Sequence, residues 1–182
     1  DESGKYMEYH FDDEKDSSAN KRDLEVAGGA KLEKGSLKLT GGESYATTPL
    51  DKLATGNTLE FDITLDKEAK AGEILFEADN LGDNGDYVHD IRIMEDGRLG
   101  FRRELYDYYF DYKLPVGEKV HLAIRTDGTK TNLIVDGQEI QAAGVYRNRQ
   151  IRKESREKKE LLFQHYYFRL KESVLRQTLL KR

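Results

Sequence analysis

The segment Glu73–Ile140 constrains this chain more than any other. It reads EILFEAD, YVHDIRIM, GRLGFRR, YDYYFDY, EKVHLAIRT, TNLIVDGQEI, and most of these pieces alternate apolar with polar residues. Period two is the mark of a strand with one face in a core and the other in water. Between the pieces stand Glu95-Asp96-Gly97, Pro115-Val116-Gly117, Asp127-Gly128 and Asp136-Gly137, each with turn chemistry. Regularly spaced strands separated by such turns predict an antiparallel β-sandwich or jelly roll.

The 182 residues are enough for one domain with a two-sheet core, at 37% hydrophobic and 36% charged. No apolar run approaches membrane-spanning length, so no membrane partner is expected. The chain begins DESGKY, without an initiator Met or a signal peptide, and is expected to be a fragment of a longer polypeptide. With no cysteine it has neither a disulfide framework nor a thiolate metal site, which fits bacterial secretion as well as cytoplasm. Charge is unevenly spread. Residues 145–182 hold 12 of the 30 Lys/Arg and 4 of the 35 Asp/Glu, so they are net +8 and residues 1–144 are net −13.

Ahead of the ladder, Tyr6–Phe11 reads as a first strand and Asp12–Asp23 as an acidic loop. Short strands are expected near Lys31–Glu33, Ser36–Thr40 and Ser44–Thr48, and Pro49–Gly56 as a turn. Asn57–Leu65 is the cleanest alternator, with Leu59, Phe61, Ile63 and Leu65 on one face. Past Gly144 the pattern changes. The last 38 residues lack Pro and Gly, are rich in helix formers, and place Leu161, Leu162, His165, Phe168, Leu170, Leu175 and Leu179 near a helical stripe. A basic amphipathic helix is expected there.

Residues 5–143 resemble the laminin-G-like, concanavalin-A-like jelly-roll domains appended to bacterial glycoside hydrolases, most of all those of family-20 β-N-acetylhexosaminidase type. The resemblance is carried by KYMEYHFDD (Lys5–Asp13), LKLTGGESYATTPLDKL (Leu37–Leu53), GNTLEFDITL (Gly56–Leu65), GEILFEAD (Gly72–Asp79), HDIRIMEDGRLGFRRELYDYYFDYKLPVGEKVHLAI (His89–Ile124) and TNLIVDGQEI (Thr131–Ile140). It implies an all-β, two-sheet jelly roll over 1–144, incomplete at its C-terminal end. It also implies an extracellular or cell-surface bacterial setting and a parent polypeptide whose catalytic domain is a partner. The end departs from the pattern. Such domains close with a segment similar to RIGSKTNAFKG and a last strand beside the first, whereas this chain has KESVLRQTLLKR. A choice of codons for Phe163–Lys181 exists whose reading from the third base gives STLLFPFKRIGSKTNAFK. Residues 145–182 are therefore expected to be either an out-of-frame translation or a genuine basic helix for a partner or an acidic face. The first alternative leaves the edge at Tyr6–Phe11 open.

Tyr106, Tyr108, Tyr109, Phe110 and Tyr112 form an aromatic cluster, with Tyr108, Phe110 and Tyr112 on one face of a strand and Tyr109 on the other. Exposed tyrosines offer a flat apolar surface with a polar tip, suited to stacking on a sugar ring. Tyr106 and Tyr109 are the candidate carbohydrate platform. His89, Asp90, Arg92, Arg103 and Glu104 flank it as candidate hydrogen-bonding groups, their plain alternative being a solvated face of ion pairs. Asp79, Asp83, Asn84 and Asp86 offer oxygen ligands for calcium without EF-hand spacing. Asp12, Asp13 and Asp16 are a second carboxylate cluster, and laminin-G-like folds often carry calcium.

Catalysis has little footing. GxSxG, HExxH, P-loop and GxGxxG motifs are absent, and His10, His89, His121 and His165 are dispersed. His10 and His121 fall within expected strands and read as structural. No ExDxxE-type run, as in concanavalin-A-like glucanases, appears. The acidic 1–144 is unsuited to a phosphate backbone, so nucleic acid is not an expected partner. The expectation is a non-catalytic carbohydrate-binding or accessory module. Its alternatives are a hydrolase with its own carboxylate pair and a structural spacer.

Overall fold

The computed structural model describes residues 4–41, 44–49, 56–79, 88–103, 106–126, 130–147, 160–164 and 168–177; for 77–79, 88–89, 103, 147, 160–164 and 168–177 it describes the backbone alone. The described residues are all-β. In chain order the strands are β1 (Lys5–Tyr9), β2 (Glu25–Ala27), β3 (Lys31–Glu33), β4 (Ser36–Lys38), β5 (Tyr45–Pro49), β6 (Asn57–Leu65), β7 (Ile74–Asp79) and β8 (Val88–Ile93). They continue with β9 (Leu99–Arg103), β10 (Tyr106–Phe110), β11 (Lys119–Thr126), β12 (Thr131–Val135), β13 (Gln138–Ile140), β14 (Ala142–Arg147), β15 (Glu160–Gln164) and β16 (Phe168–Gln177). One sheet runs β13-β12-β11-β6-β16-β4-β3, with β1 also on β16. The other runs β14-β10-β9-β8-β7-β15-β5-β2.

The period-two pattern is the origin of the core. In β6, Leu59, Phe61, Ile63 and Leu65 are buried while Thr58, Glu60, Asp62 and Thr64 are not. Val120, Leu122 and Ile124 of β11 pair with Ile63, Phe61 and Leu59 and are buried with them. From the facing sheet Phe76 meets Phe61 with ring centroids 4.6 Å apart. Burying these side chains drives the two sheets together. The Asp136-Gly137 turn joins β12 to β13 with both residues at positive φ, 47° and 82°. A two-residue hairpin of this hand needs that conformation, which Asp tolerates and Gly adopts freely.

The sequence and the structure part in four places. The described parts of 145–182 are strands, not the expected helix. Phe168–Gln177 lies in the first sheet, pairing β6 on one side and β1 and β4 on the other. A ten-residue strand there satisfies two rows of backbone groups, and tertiary pairing of that extent overrides a weak helix propensity. The pairing Met7↔Leu175 also puts this strand beside the first, where an open edge was expected. Glu160–Gln164 likewise pairs β5 and β7. Tyr146, assigned with that segment, belongs to β14. Finally, His10 lies past the end of β1 and is exposed, so it is not a structural strand histidine.

Candidate functional site

Strands β9 and β10 present different chemistry on their two faces. On the face away from the core, the registers Asp90↔Arg102, Arg102↔Asp107 and Asp107↔Tyr146 form one row, and Arg92↔Gly100, Gly100↔Tyr109 and Tyr109↔Gly144 the next. The charges here are closed on one another. Arg92 Nε donates to Asp90 Oδ1 at 2.6 Å, and its Nη2 donates to Asp90 Oδ2. Asp90 is only 4% exposed. Arg102 donates to both oxygens of Asp107, at 2.7 and 3.2 Å. The guanidinium of Arg98 lies over the Tyr109 ring, 5.2 Å from its centroid, and Tyr146 meets the same ring edge-on at 5.3 Å. Burial, with Asp107, Glu95 and Asp96 nearby, raises the Tyr109 pKa against the opposing pull of Arg98. Gly100 is required to be small, because a Cβ there would press on the Tyr108 carbonyl and come within 2.7 Å of the Met94 side chain.

The opposite face of the same strands opens into a cleft of about 620 Å³. Phe101, Tyr108 and Phe110 form its aromatic wall. Phe101 and Tyr108 are register partners and stack at 4.5 Å with planes 6° apart, and Phe110 leans on Phe101 at 5.7 Å. The other sheet contributes Lys130, Thr131 and Asn132 at the start of β12 and Glu139 and Ile140 from β13; Gln141 and Ala142 follow where the chain crosses back into β14 of the first wall's own sheet. Stacked rings beside a hydroxyl, two carboxamides, an ammonium and a carboxylate make a surface that grips a flat, polar-rimmed molecule. Tyr106, two residues before Tyr108, is 40% exposed.

The sequence-derived candidates thus divide. Tyr106 lies on the strand side of the cleft, while Asp90, Arg92 and Tyr109 share the outer face, so the structure does not bring the two tyrosines together on one platform. His89 and Arg103 are placed as backbone, paired with Ala78 and Tyr106; Glu104 lies outside the described residues. Asp79 ends β7, and Asp83, Asn84 and Asp86 lie outside the described residues. Asp16 is buried and its carboxylate is occupied by donors. Oδ1 accepts the N–H groups of Glu8 and Ser18, and Oδ2 accepts the Ser18 hydroxyl and the Arg22 N–H, all at 2.8–2.9 Å. It pins the 12–23 loop to β1, and Asp13 accepts the Lys15 N–H. Among the described residues no cluster of three His, Cys, Asp or Glu is arranged to hold a metal ion. Phe101, Lys130, Thr131, Asn132, Glu139 and Gln141 carried no signal as a group, because it takes the second sheet to juxtapose them. Phe101 lies in the alternating piece GRLGFRR, a signal for a strand but not for a site.

On the outer face of the first sheet, His121 bridges two β6 carboxylates, Nδ1 to Asp62 at 2.6 Å and Nε2 to Glu60 at 2.8 Å. Burial lowers its pKa, but the bonds to Asp62 and Glu60 outweigh that and raise it above the ordinary histidine value.

No family model and no curated protein matches this sequence. Solved structures do match. Domain 4 of AbnA, a GH43 extracellular arabinanase from Geobacillus stearothermophilus, in complex with arabinotriose, aligns at 15% identity over 98% of this chain and 94% of that one, TM-score 0.66. The binding domain of botulinum neurotoxin DC in complex with rat synaptotagmin II aligns at 12% identity over 100% of this chain and 50% of that one, TM-score 0.68. Trypanosoma rangeli sialidase in complex with sialic acid aligns at 15% identity over 98% of this chain and 31% of that one, TM-score 0.64. The chain spans about half the length of the first structures it matches. At such identities the likeness is one of fold, and the fold of this chain is the two-sheet, jelly-roll-like β-sandwich those proteins contain.

Proposed function

We propose that this chain is a non-catalytic carbohydrate-binding module, and that the sugar lies in the cleft between the Phe101–Tyr108 stack and the β12–β13 hairpin. The observation that carries the reading is that cleft: an aromatic wall facing Thr131, Asn132, Glu139 and Gln141. A pyranose or furanose ring has an apolar face for the rings and hydroxyls for the amides. The arabinanase domain, whose structure is in complex with arabinotriose, supports the class of ligand. Glycoside hydrolysis ordinarily needs two carboxyl groups flanking the scissile bond, and among the described residues the cleft lining holds one, Glu139. That favours binding over turnover. The module's parent would be a secreted bacterial glycoside hydrolase, of β-N-acetylhexosaminidase type on the resemblance of residues 5–143. Its catalytic domain would be the module's covalent partner.

Titration calorimetry with a panel of arabino-, sialyl- and N-acetylglucosamine oligosaccharides tests this. At least one is expected to bind, with Asn132→Ala or Gln141→Ala weakening it about threefold to tenfold through a lost hydrogen bond. Affinity unchanged in both variants overturns the site. Release of product from any chromogenic glycoside by the pure chain overturns the non-catalytic assignment.

A further inference from the structure

The two walls of the cleft are joined at one end and separate at the other. Ile140 pairs with Leu133 in the first sheet and Ala142 with Phe110 in the second, so Gln141 is the residue at which the chain crosses between them. Its carbonyl accepts the Asp111 N–H at 3.1 Å, which fixes the crossing to the end of β10. Packed sheets stand about 10 Å apart, whereas two residues of extended chain reach at most about 7 Å. The walls therefore converge at Gln141, and the backbone itself closes that end. At the other end the strands keep to their own walls: β9 leads into β10 and β14 into β15 within the second sheet, and β11 into β12 within the first. Exposure follows the same direction. Tyr106, Tyr108 and Phe110 share one face of β10. Phe110, beside the crossing, is 2% exposed, Tyr108 is half-buried and Tyr106 is 40% exposed.

We propose that the cleft takes the end of a glycan chain and not its interior. The terminal sugar lies against the Phe101–Tyr108 stack with its free end toward Gln141, and the next sugar leaves over Tyr106. An interior stretch needs an exit at each end of the cleft, and the crossing at Gln141 blocks one of them. Tyr106 stands two residues beyond Tyr108 on the same face, about 7 Å further out, where its exposed ring can carry the sugar that follows. The inference rests on the glycan reading of the cleft, and it adds to that reading which part of a glycan is held.

Titration calorimetry of the full chain with linear arabino-oligosaccharides, from the monosaccharide to the hexasaccharide, and with the matching N-acetylglucosamine series tests this. In the series that binds, affinity is expected to rise as far as the trisaccharide and then to stay within about twofold, with one module per sugar chain at every length. Tyr106→Ala should weaken the trisaccharide about threefold or more and the monosaccharide less than about twofold, whereas Tyr108→Ala should weaken both. Borohydride reduction, which opens the ring at the reducing end, tells the two termini apart: lost binding assigns the reducing end, kept binding the non-reducing end, and both are end-on. Affinity that climbs about fivefold or more from trisaccharide to hexasaccharide, or several modules on one linear chain, overturns end-on seating and leaves the cleft a sugar site. Equal effects of Tyr106→Ala on the monosaccharide and the trisaccharide overturn it too. Binding of no oligosaccharide overturns the glycan reading and this inference with it.

Discussion

The two faces of β9 and β10 make an instructive pair. Both carry aromatic rings, and both stand near charged groups. On the outer face the charges close on groups of the same face: Arg92 on Asp90, Arg102 on Asp107, Arg98 over Tyr109. On the cleft face the rings stack on each other and look across at amide and hydroxyl groups from the other sheet. Aromatic content does not distinguish the two. What distinguishes them is the company the rings keep: Arg–Asp ion pairs on the outer face, two carboxamides and a hydroxyl beside Lys130 and Glu139 on the cleft face, and desolvating a closed ion pair costs binding energy that an amide or hydroxyl does not.

The contrast can be broken most severely from beneath. Phe61 packs on Phe76 and holds the sheets that define both faces, so Phe61→Ala should cost about 3–5 kcal/mol in a denaturant titration. A loss below about 1 kcal/mol would mean that the core is not built on β6. Asp90→Ala should come next, costing about 2–3 kcal/mol by leaving Arg92 without its buried carboxylate. It should leave sugar affinity unaltered in the folded fraction, which calorimetry would check.

The same strands carried both the clear and the obscure parts of the sequence. Alternation in Leu59–Leu65 and Val120–Ile124 made the core legible, because burial on one face is written at every second residue. It also separated Tyr109 from Tyr108 and Phe110. It could not say which face would meet an opening, because Lys130–Asn132 and Glu139–Ile140 reach the cleft through the other sheet. Nor could it show Arg98, a turn-flanking residue, lying over Tyr109. The helix expected for the C-terminal segment gives way to strands for a related reason. Helix propensity is local, whereas the strand Phe168–Gln177 is set by two non-local partners, β6 and β1.

A sharper version of the comparison substitutes neighbouring tyrosines. Tyr108→Ala should lower sugar affinity by about tenfold, a typical loss for one stacking ring, while Tyr109→Ala should change it by less than about twofold. Equal losses in the two variants would erase the distinction between the faces.

The smallest expected effect concerns His121. Its folded-state pKa is raised, so the stability it gives through Asp62 and Glu60 is full below its unfolded pKa of about 6.5 and is lost as pH rises through the folded value. With the histidine side chain 43% exposed, solvent screens the pair, and His121→Ala should cost below about 1 kcal/mol. Chemical denaturation at pH 5.5 and pH 9 should show the difference between variant and parent shrinking at the higher pH; a difference that grows would reverse the assigned sign.

Amide chemical-shift mapping during titration with the best-binding oligosaccharide tests the central claim most directly. The account predicts the largest shifts at Phe101, Tyr108, Lys130–Asn132 and Glu139–Ala142, with Asp90, Arg92 and Tyr109 little changed. The largest shifts at Asp90, Arg92, Tyr109 and Tyr146 would contradict it and move the site to the outer face.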